Sequence, residues 1–350
     1  EKIPELKERS YAYFMPNRMR LEYRLDYNLS RSQSQVLTWN DAAERVYEMM
    51  YHDVNPKQVE KWLKTIKVKK GDVFTQVAQI EEYLKSNIYV QEFDVPEFSD
   101  FDFILEKKVS GEQGIVRLFV NLLKALDIPH EIVLTSPRNE IRFDADFQSW
   151  NYLDKYLIYF PGPNVYLDPV ERAYRLGLVD GEVTATQGLF IELVKFGDFE
   201  SAVGKIKFIE PTPFNANYDN MNIEISVDVD NALTNVTNTR GFKGLSGGYF
   251  NLIFKALDDD QKQNMLKSLM ETKAPNPVYN DLKVVEKSDV DFINNADFII
   301  YSDFRSSSFI EIAGNKLLLN MGESIGPQAE LYYEEERTDD KKDGEDQVFR

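Results

Sequence analysis

The chain has 350 residues, with 41 Lys+Arg against 59 Asp+Glu, a formal net charge of -18, 43% hydrophobic residues and no cysteine. The length exceeds one compact core and predicts two or three domains, and the charge opposes wrapping of nucleic acid because phosphates repel an acidic surface. The missing thiol excludes disulfides, thiolate metal sites and cysteine nucleophiles, while two histidines, His52 and His130, are too few for an imidazole metal cluster.

Residues 1–35 alternate weakly, most visibly over Met19–Leu29, and are expected to form an extended lead-in. Thr38 then caps a helix that buries Trp39, Ala43, Val46, Tyr47 and Met50. Asn55-Pro56 opens a second helix with Val59, Trp62, Leu63 and Ile66 inward. A third runs from Val73 to Ser86, after the break at Lys70-Gly71-Asp72. Residues 89–105, aromatic and acidic with Pro96, read as a loop. Ile115, Leu118, Phe119, Leu122, Leu123 and Leu126 recur at steps of three and four, which predicts a helix from Glu112 to Leu126 with one apolar face. Strands follow at Glu131–Thr135, Tyr156–Phe160 and Val165–Leu167, the last two joined by a Pro161-Gly162-Pro163-Asn164 turn.

Pro211-Thr212-Pro213 reads as a linker. Beyond it, strands are expected at Met221–Val229, Ala232–Val236, Phe298–Tyr301, Phe309–Ile312 and Lys316–Leu319, with helices inserted at Tyr249–Leu257 and Asp259–Met270. The glycine-rich Gly244–Gly248 lacks the Lys-Ser/Thr end of a phosphate loop and reads as a turn before a helix. The tail Glu334–Asp346 is charged. The expected layout is a lead-in (1–35), an α+β domain (36–200), a mostly β domain with a helical insertion (201–335) and a charged tail (336–350). No run of about 18 apolar residues occurs, so no membrane-spanning segment is expected. A start at Glu1 rather than Met reads as a mature form or an excised fragment.

The helix–strand–strand–strand order, the Leu122–Pro129 phrase (Leu-Leu-Lys-Ala-Leu-Asp-Ile-Pro) and Tyr166-Leu167-Asp168-Pro169 together resemble the transglutaminase-like superfamily. The resemblance spans about residues 75–190. Ile3-Pro4, Tyr23–Trp39 and Gly322-x-x-Ile325-Gly326 are similar to flanking segments of bacterial envelope proteins, in which such a core lies between two domains of unknown function. The resemblance implies a papain-like fold, a helix packed on an antiparallel sheet. It also implies a triad of cysteine at the helix start, histidine on the next strand and aspartate after the third. A helix N-terminus favours the thiolate, and the aspartate fixes the histidine tautomer.

Here the cysteine slot falls on Glu112, or on Gln113 if Gly111 is taken as the motif glycine. The histidine slot falls within Trp150–Lys155, best on Lys155, and only Asp168 remains of the triad. The resemblance therefore implies a catalytically inactive protein that binds or assembles, in the periplasm or cell envelope, with no cofactor and no metal. Its partner would be a peptide, a glycan or an envelope protein. The alternative is a hydrolase of glycans or peptides that uses Glu112 and Asp168 as a carboxylate pair. Against that stand ordinary roles: Glu112 as a first-turn residue, Asp168 as a turn acceptor, Lys155 as an exposed lysine. Trp150, Asn151, Tyr152 and Arg138 are candidate ligand contacts, although aromatic runs such as Trp150–Phe160 more often fill cores. Arg138, Arg142, Arg172 and Arg175 either take part in surface ion pairs with Asp144, Asp146 or Glu171 or bind anionic ligand groups. Ser110 has no base behind it, and His130 reads as a structural histidine.

Overall fold

The structure is a computed structural model, and it describes residues 15–16, 20–24, 27–31, 33–34, 37–69, 71–197, 199–271, 277–285 and 297–325. The charged tail 336–350, Ile3-Pro4 and Gly326 lie outside these. Two compact units divide between Thr212 and Pro213.

The first unit opens with a short hairpin of β1 (Tyr27–Asn28) and β2 (Gln33–Ser34). Helix α1 (Trp39–Tyr51) starts at Thr38, whose hydroxyl accepts from the Asp41 N–H at 3.1 Å while its own N–H donates to the Asp41 carboxylate at 2.8 Å. Helix α2 (Pro56–Ile66) is capped by Asn55 and stops at Lys67, which turns left-handed at φ 58°. Helix α3 (Val73–Asn87) is capped by Asp72.

The expected loop over 89–105 is instead structured. It contains β3 (Tyr89–Gln91), a 3-10 turn (Pro96–Ser99) and α4 (Phe101–Lys107), with Asp100 accepting from the Phe103 N–H at 2.8 Å. Tertiary burial overrides the polar composition. Phe101 and Ile104 are buried, and the Trp62 indole donates to the Phe101 carbonyl at 2.9 Å. Strand β4 (Val109–Gly111) pairs in parallel with β3 and runs straight into α5 (Glu112–Ala125).

Helix α5 is buried on more than the one expected face. Val116 and Val120 are covered as fully as Leu118 and Phe119, because α1, α2 and α3 pack around it. Removing such a side chain from water contributes about 1.5–3 kcal/mol. The sheet follows: β5 (Glu131–Thr135), β6 (Lys155–Phe160), β7 (Val165–Leu167), β8 (Thr186–Phe196) and β9 (Phe199–Ile209), ordered β7-β6-β5-β8-β9 and antiparallel throughout. Ile132, Leu134, Ile158, Phe160, Leu189 and Ile191 share one core with the helices. Val133, Leu157 and Phe190 point the other way, under Val179 and Val183. The boundary expected at residue 200 is corrected: it cuts β9, and the sheet continues to Ile209 before Pro211 and Pro213 end the ladder.

The second unit carries β10 (Tyr218–Asp228), β11 (Leu233–Lys243), α6 (Leu245–Ala256), α7 (Asp259–Leu269), β12 (Val278–Val284) and β13 (Phe298–Ser306), with sheet order β10-β11-β13-β12. Gly244 (φ 69°) is the helix cap, so Leu245–Gly248 form the first turn of α6 rather than a separate turn. Phe242, Leu266, Met270, Phe298 and Ile300 make its core. A separate hairpin, β14 (Ile310–Ala313) with β15 (Lys316–Leu319), leaves Ile312 and Leu318 exposed. The class is thus α+β. Among the described residues no helix is long and apolar enough to cross a membrane.

Candidate functional site

The start of α5 is built around close backbone approaches. A Cβ on Gly114 would lie 1.9 Å from the Phe98 carbonyl oxygen, so only glycine lets the chain pass there. A Cβ on Gly111 would lie 1.5 Å from Asp94 Oδ1, which is a side chain and can move. The Ser110 hydroxyl lies 3.0 Å from both the Phe98 and the Gly111 carbonyls, and its single proton serves the turn. Glu112 follows as the first residue of α5.

Lys155 opens β6 and Asp168 directly follows β7. These strands are antiparallel with Ile158 opposite Leu167, so one further step sets Asp168 level with Leu157, at the Lys155 end of the sheet. Glu112 feels the charges of Lys155, Asp154, Asp94 and Asp168. The three slot residues therefore occupy one electrostatic neighbourhood. Burial pushes the Glu112 carboxyl above its ordinary range; Lys155 opposes this and the three carboxylates add to it. Lys155 itself is exposed, 3.7 Å from Asp154.

Burial also raises the Asp168 carboxyl, while Lys85 and two backbone donors pull it down. Those donors are the Val170 and Glu171 N–H groups, both 2.9 Å from Oδ1, so this oxygen closes its own turn. Behind the turn, Lys85 Nζ donates to Glu81 Oε1 and to the Tyr174 carbonyl, both at 2.8 Å, and the Leu176 N–H donates to Glu81 Oε2 at 2.9 Å. The expected partners of two arginines are corrected. Arg175 pairs with Glu82 at 3.1 Å and Arg172 donates to the Lys85 carbonyl at 2.8 Å, because α3 rather than the 144–146 loop lies against this segment.

Neither histidine serves the slot. His130 Nδ1 lies 2.7 Å from the Ile128 carbonyl and must donate to it, which leaves Nε2 to accept from the Tyr51 hydroxyl at 2.8 Å. Burial pushes this imidazole down to about 4. His52 is exposed, 2.9 Å from Asp53. Among the described residues, no three His, Asp or Glu side chains are grouped as metal ligands.

The four candidate ligand contacts separate. Trp150 and Asn151 line a cavity of about 480 Å³, together with Ser149, Gln148 and the segment Arg20–Arg24. Tyr152 is buried, and its hydroxyl donates to Glu22 Oε2, so it anchors that segment and is no direct ligand contact. Arg138 lies elsewhere: its N–H donates to the Glu182 carbonyl at 2.9 Å and its charge acts on Glu182. Alternation along β6 sends Phe160 into the core with the helices and Tyr159 to the outer face, 5.0 Å from Tyr166.

Arg20, Arg24 and Arg45 in the same cavity were not singled out from sequence. The signals were present: alternation over Arg20–Arg24, and Arg45 on the polar side of an amphipathic helix. Arg20 Nε lies 2.8 Å from Glu22 Oε1, Arg24 Nη1 donates to Gln148 Oε1 at 3.4 Å, and Arg45 stands over the Trp150 ring at 5.9 Å. No family model, curated protein or solved structure matches this chain.

Proposed function

We propose that this chain is a non-catalytic relative of the transglutaminase-like superfamily, with a papain-like first unit, working as a binding or assembly module of the bacterial cell envelope. The observation that carries this reading is the content of the slots. Glu112, Lys155 and Asp168 share one neighbourhood at the start of α5 and supply neither thiol nor imidazole. A carboxyl group is a poor nucleophile towards an amide, and no imidazole stands by in the slots to relay the proton. The core shared by α5 and the antiparallel sheet supports the fold assignment. The envelope placement rests on the resemblance of the flanking segments. Amidase, peptidase and transamidation assays on peptide pools are expected to show no turnover above buffer. Turnover that disappears in Glu112→Ala and Asp168→Ala would overturn the reading.

A hydrolase using Glu112 and Asp168 on glycans or peptides is the alternative, and the raised proton affinity of Glu112 favours it, since a general acid must hold its proton near neutral pH. Asp168 opposes it, because Oδ1 already serves two backbone donors. Release of reducing sugar from a glycan pool, abolished by Glu112→Gln, would decide for this alternative.

A further inference from the structure

The 480 Å³ cavity is a cationic spot on an acidic protein. Its lining holds the guanidiniums of Arg20, Arg24 and Arg45 and a single carboxylate, Glu22, while the chain as a whole carries -18. Glu22 is already engaged, since Oε1 faces Arg20 Nε at 2.8 Å and Oε2 accepts from the Tyr152 hydroxyl. Arg45 has no hydrogen-bond or ion-pair partner among the described residues and stands over the face of Trp150. Trp150 is 39% exposed, whereas Trp39 and Trp62 are buried. Beside these groups the backbone of Leu21, Glu22 and Tyr23 belongs to no helix or sheet, and it makes no backbone–backbone hydrogen bond among the described residues. The side chains of Leu21 and Tyr23 point to solvent, while Glu22 is partly buried towards the core.

We propose that this cavity binds an extended acidic peptide. A ligand carboxylate meets the Arg45 guanidinium, a neighbouring apolar side chain lies on Trp150, and the ligand backbone runs along Leu21–Tyr23. The unpaired backbone of Leu21–Tyr23 favours a peptide over a sugar acid, because a peptide offers it a matching row of N–H donors and carbonyl acceptors. Arginine suits the carboxylate because its planar fork binds two oxygens at once. This deepens the binding reading above, and rests on it, by naming a site and a ligand class.

The test is fluorescence anisotropy of a fluorescein-labelled, C-amidated octapeptide of alternating leucine and glutamate, titrated with the full chain. Saturable binding is expected, at least about ten-fold tighter than for the same peptide with glutamine in place of glutamate. Arg45→Gln and Trp150→Ala are each expected to weaken it by about ten-fold, and raising the salt should weaken it further. Both residues are exposed, so the fold tolerates the changes. The proposal is overturned by absence of binding, by equal affinity for the glutamine peptide, by no loss in Arg45→Gln, or by tighter binding of an oligogalacturonate. Glu112-dependent turnover would remove the non-catalytic reading and leave this titration unchanged. A failed titration would remove the pocket proposal and leave the turnover result standing.

Discussion

Glu81 beside Lys85 and Glu112 near Lys155 both set a carboxylate against a lysine in the first unit, and they differ in completeness. On α3, Glu81 and Lys85 are 1% and 2% exposed, 2.8 Å apart, and their remaining capacity goes to the Leu176 N–H and the Tyr174 carbonyl. At the start of α5, Glu112 is half-buried, its cation Lys155 is exposed, and Asp94, Asp154 and Asp168 add negative charge. A fully buried ion must be matched on every side or it costs several kcal/mol, so the first pair is structural. The second keeps an excess of negative charge beside solvent and is not bound by that requirement. His130 belongs with the first: it is buried, both ring nitrogens are engaged, and it is satisfied only when neutral.

The largest effect should come from breaking the complete pair. Lys85→Met leaves Glu81 buried without its cation and should cost about 3–5 kcal/mol in urea unfolding, with the double variant Glu81→Met/Lys85→Met losing less. The exposed Lys61–Asp102 pair, also 2.8 Å, is the control, and Lys61→Met should leave the midpoint unchanged. A loss as small as the control's would break the comparison.

Next comes His130. Its folded-state value of about 4 lies below the ordinary 6.5, so the unfolded chain takes up the proton first. The stabilisation is complete above pH 6.5 and is lost as pH falls through 4, by about 3 kcal/mol in all. Unfolding measured across that window should lose most of this dependence in His130→Gln.

The smallest effect concerns Glu112. Its proton affinity is raised in the folded state, so ionisation at neutral pH opposes folding. Glu112→Gln should therefore add about 0.5 kcal/mol or less at pH 7, the favourable helix-start position offsetting part of the gain. The gain should vanish as pH falls and the native carboxyl takes up its own proton. A loss of stability at pH 7 would show that Glu112 is as well matched as Glu81.

Much of the framework was legible because its signals are local. Thr38, Asn55 and Asp72 mark the starts of α1, α2 and α3, and Glu131–Thr135 and Val165–Leu167 read directly as strands. The hairpin of β8 and β9 was hidden. β8 carries Leu189 and Ile191 towards the helices and Phe190 towards the opposite face, so no polar–apolar alternation survives. Helix α4, at seven residues, is too short to announce itself and stands on its contact with Trp62. Within the candidate site, Asp168 was identifiable from its Leu-Asp-Pro phrase. The roles of Tyr152, as an anchor for Glu22, and of Arg45, over Trp150, join residues 130 and 105 positions apart and leave no local trace.

Composition and spacing alone determined that no thiol chemistry is present, that the chain is α+β, and where most elements begin, because caps, breakers and periodicity act within a few residues. Folding alone decided which charges are matched. Whether Glu81, Glu112, Asp168 or Arg45 finds a partner depends on segments far apart in the chain, and on how much water remains around each group once they meet.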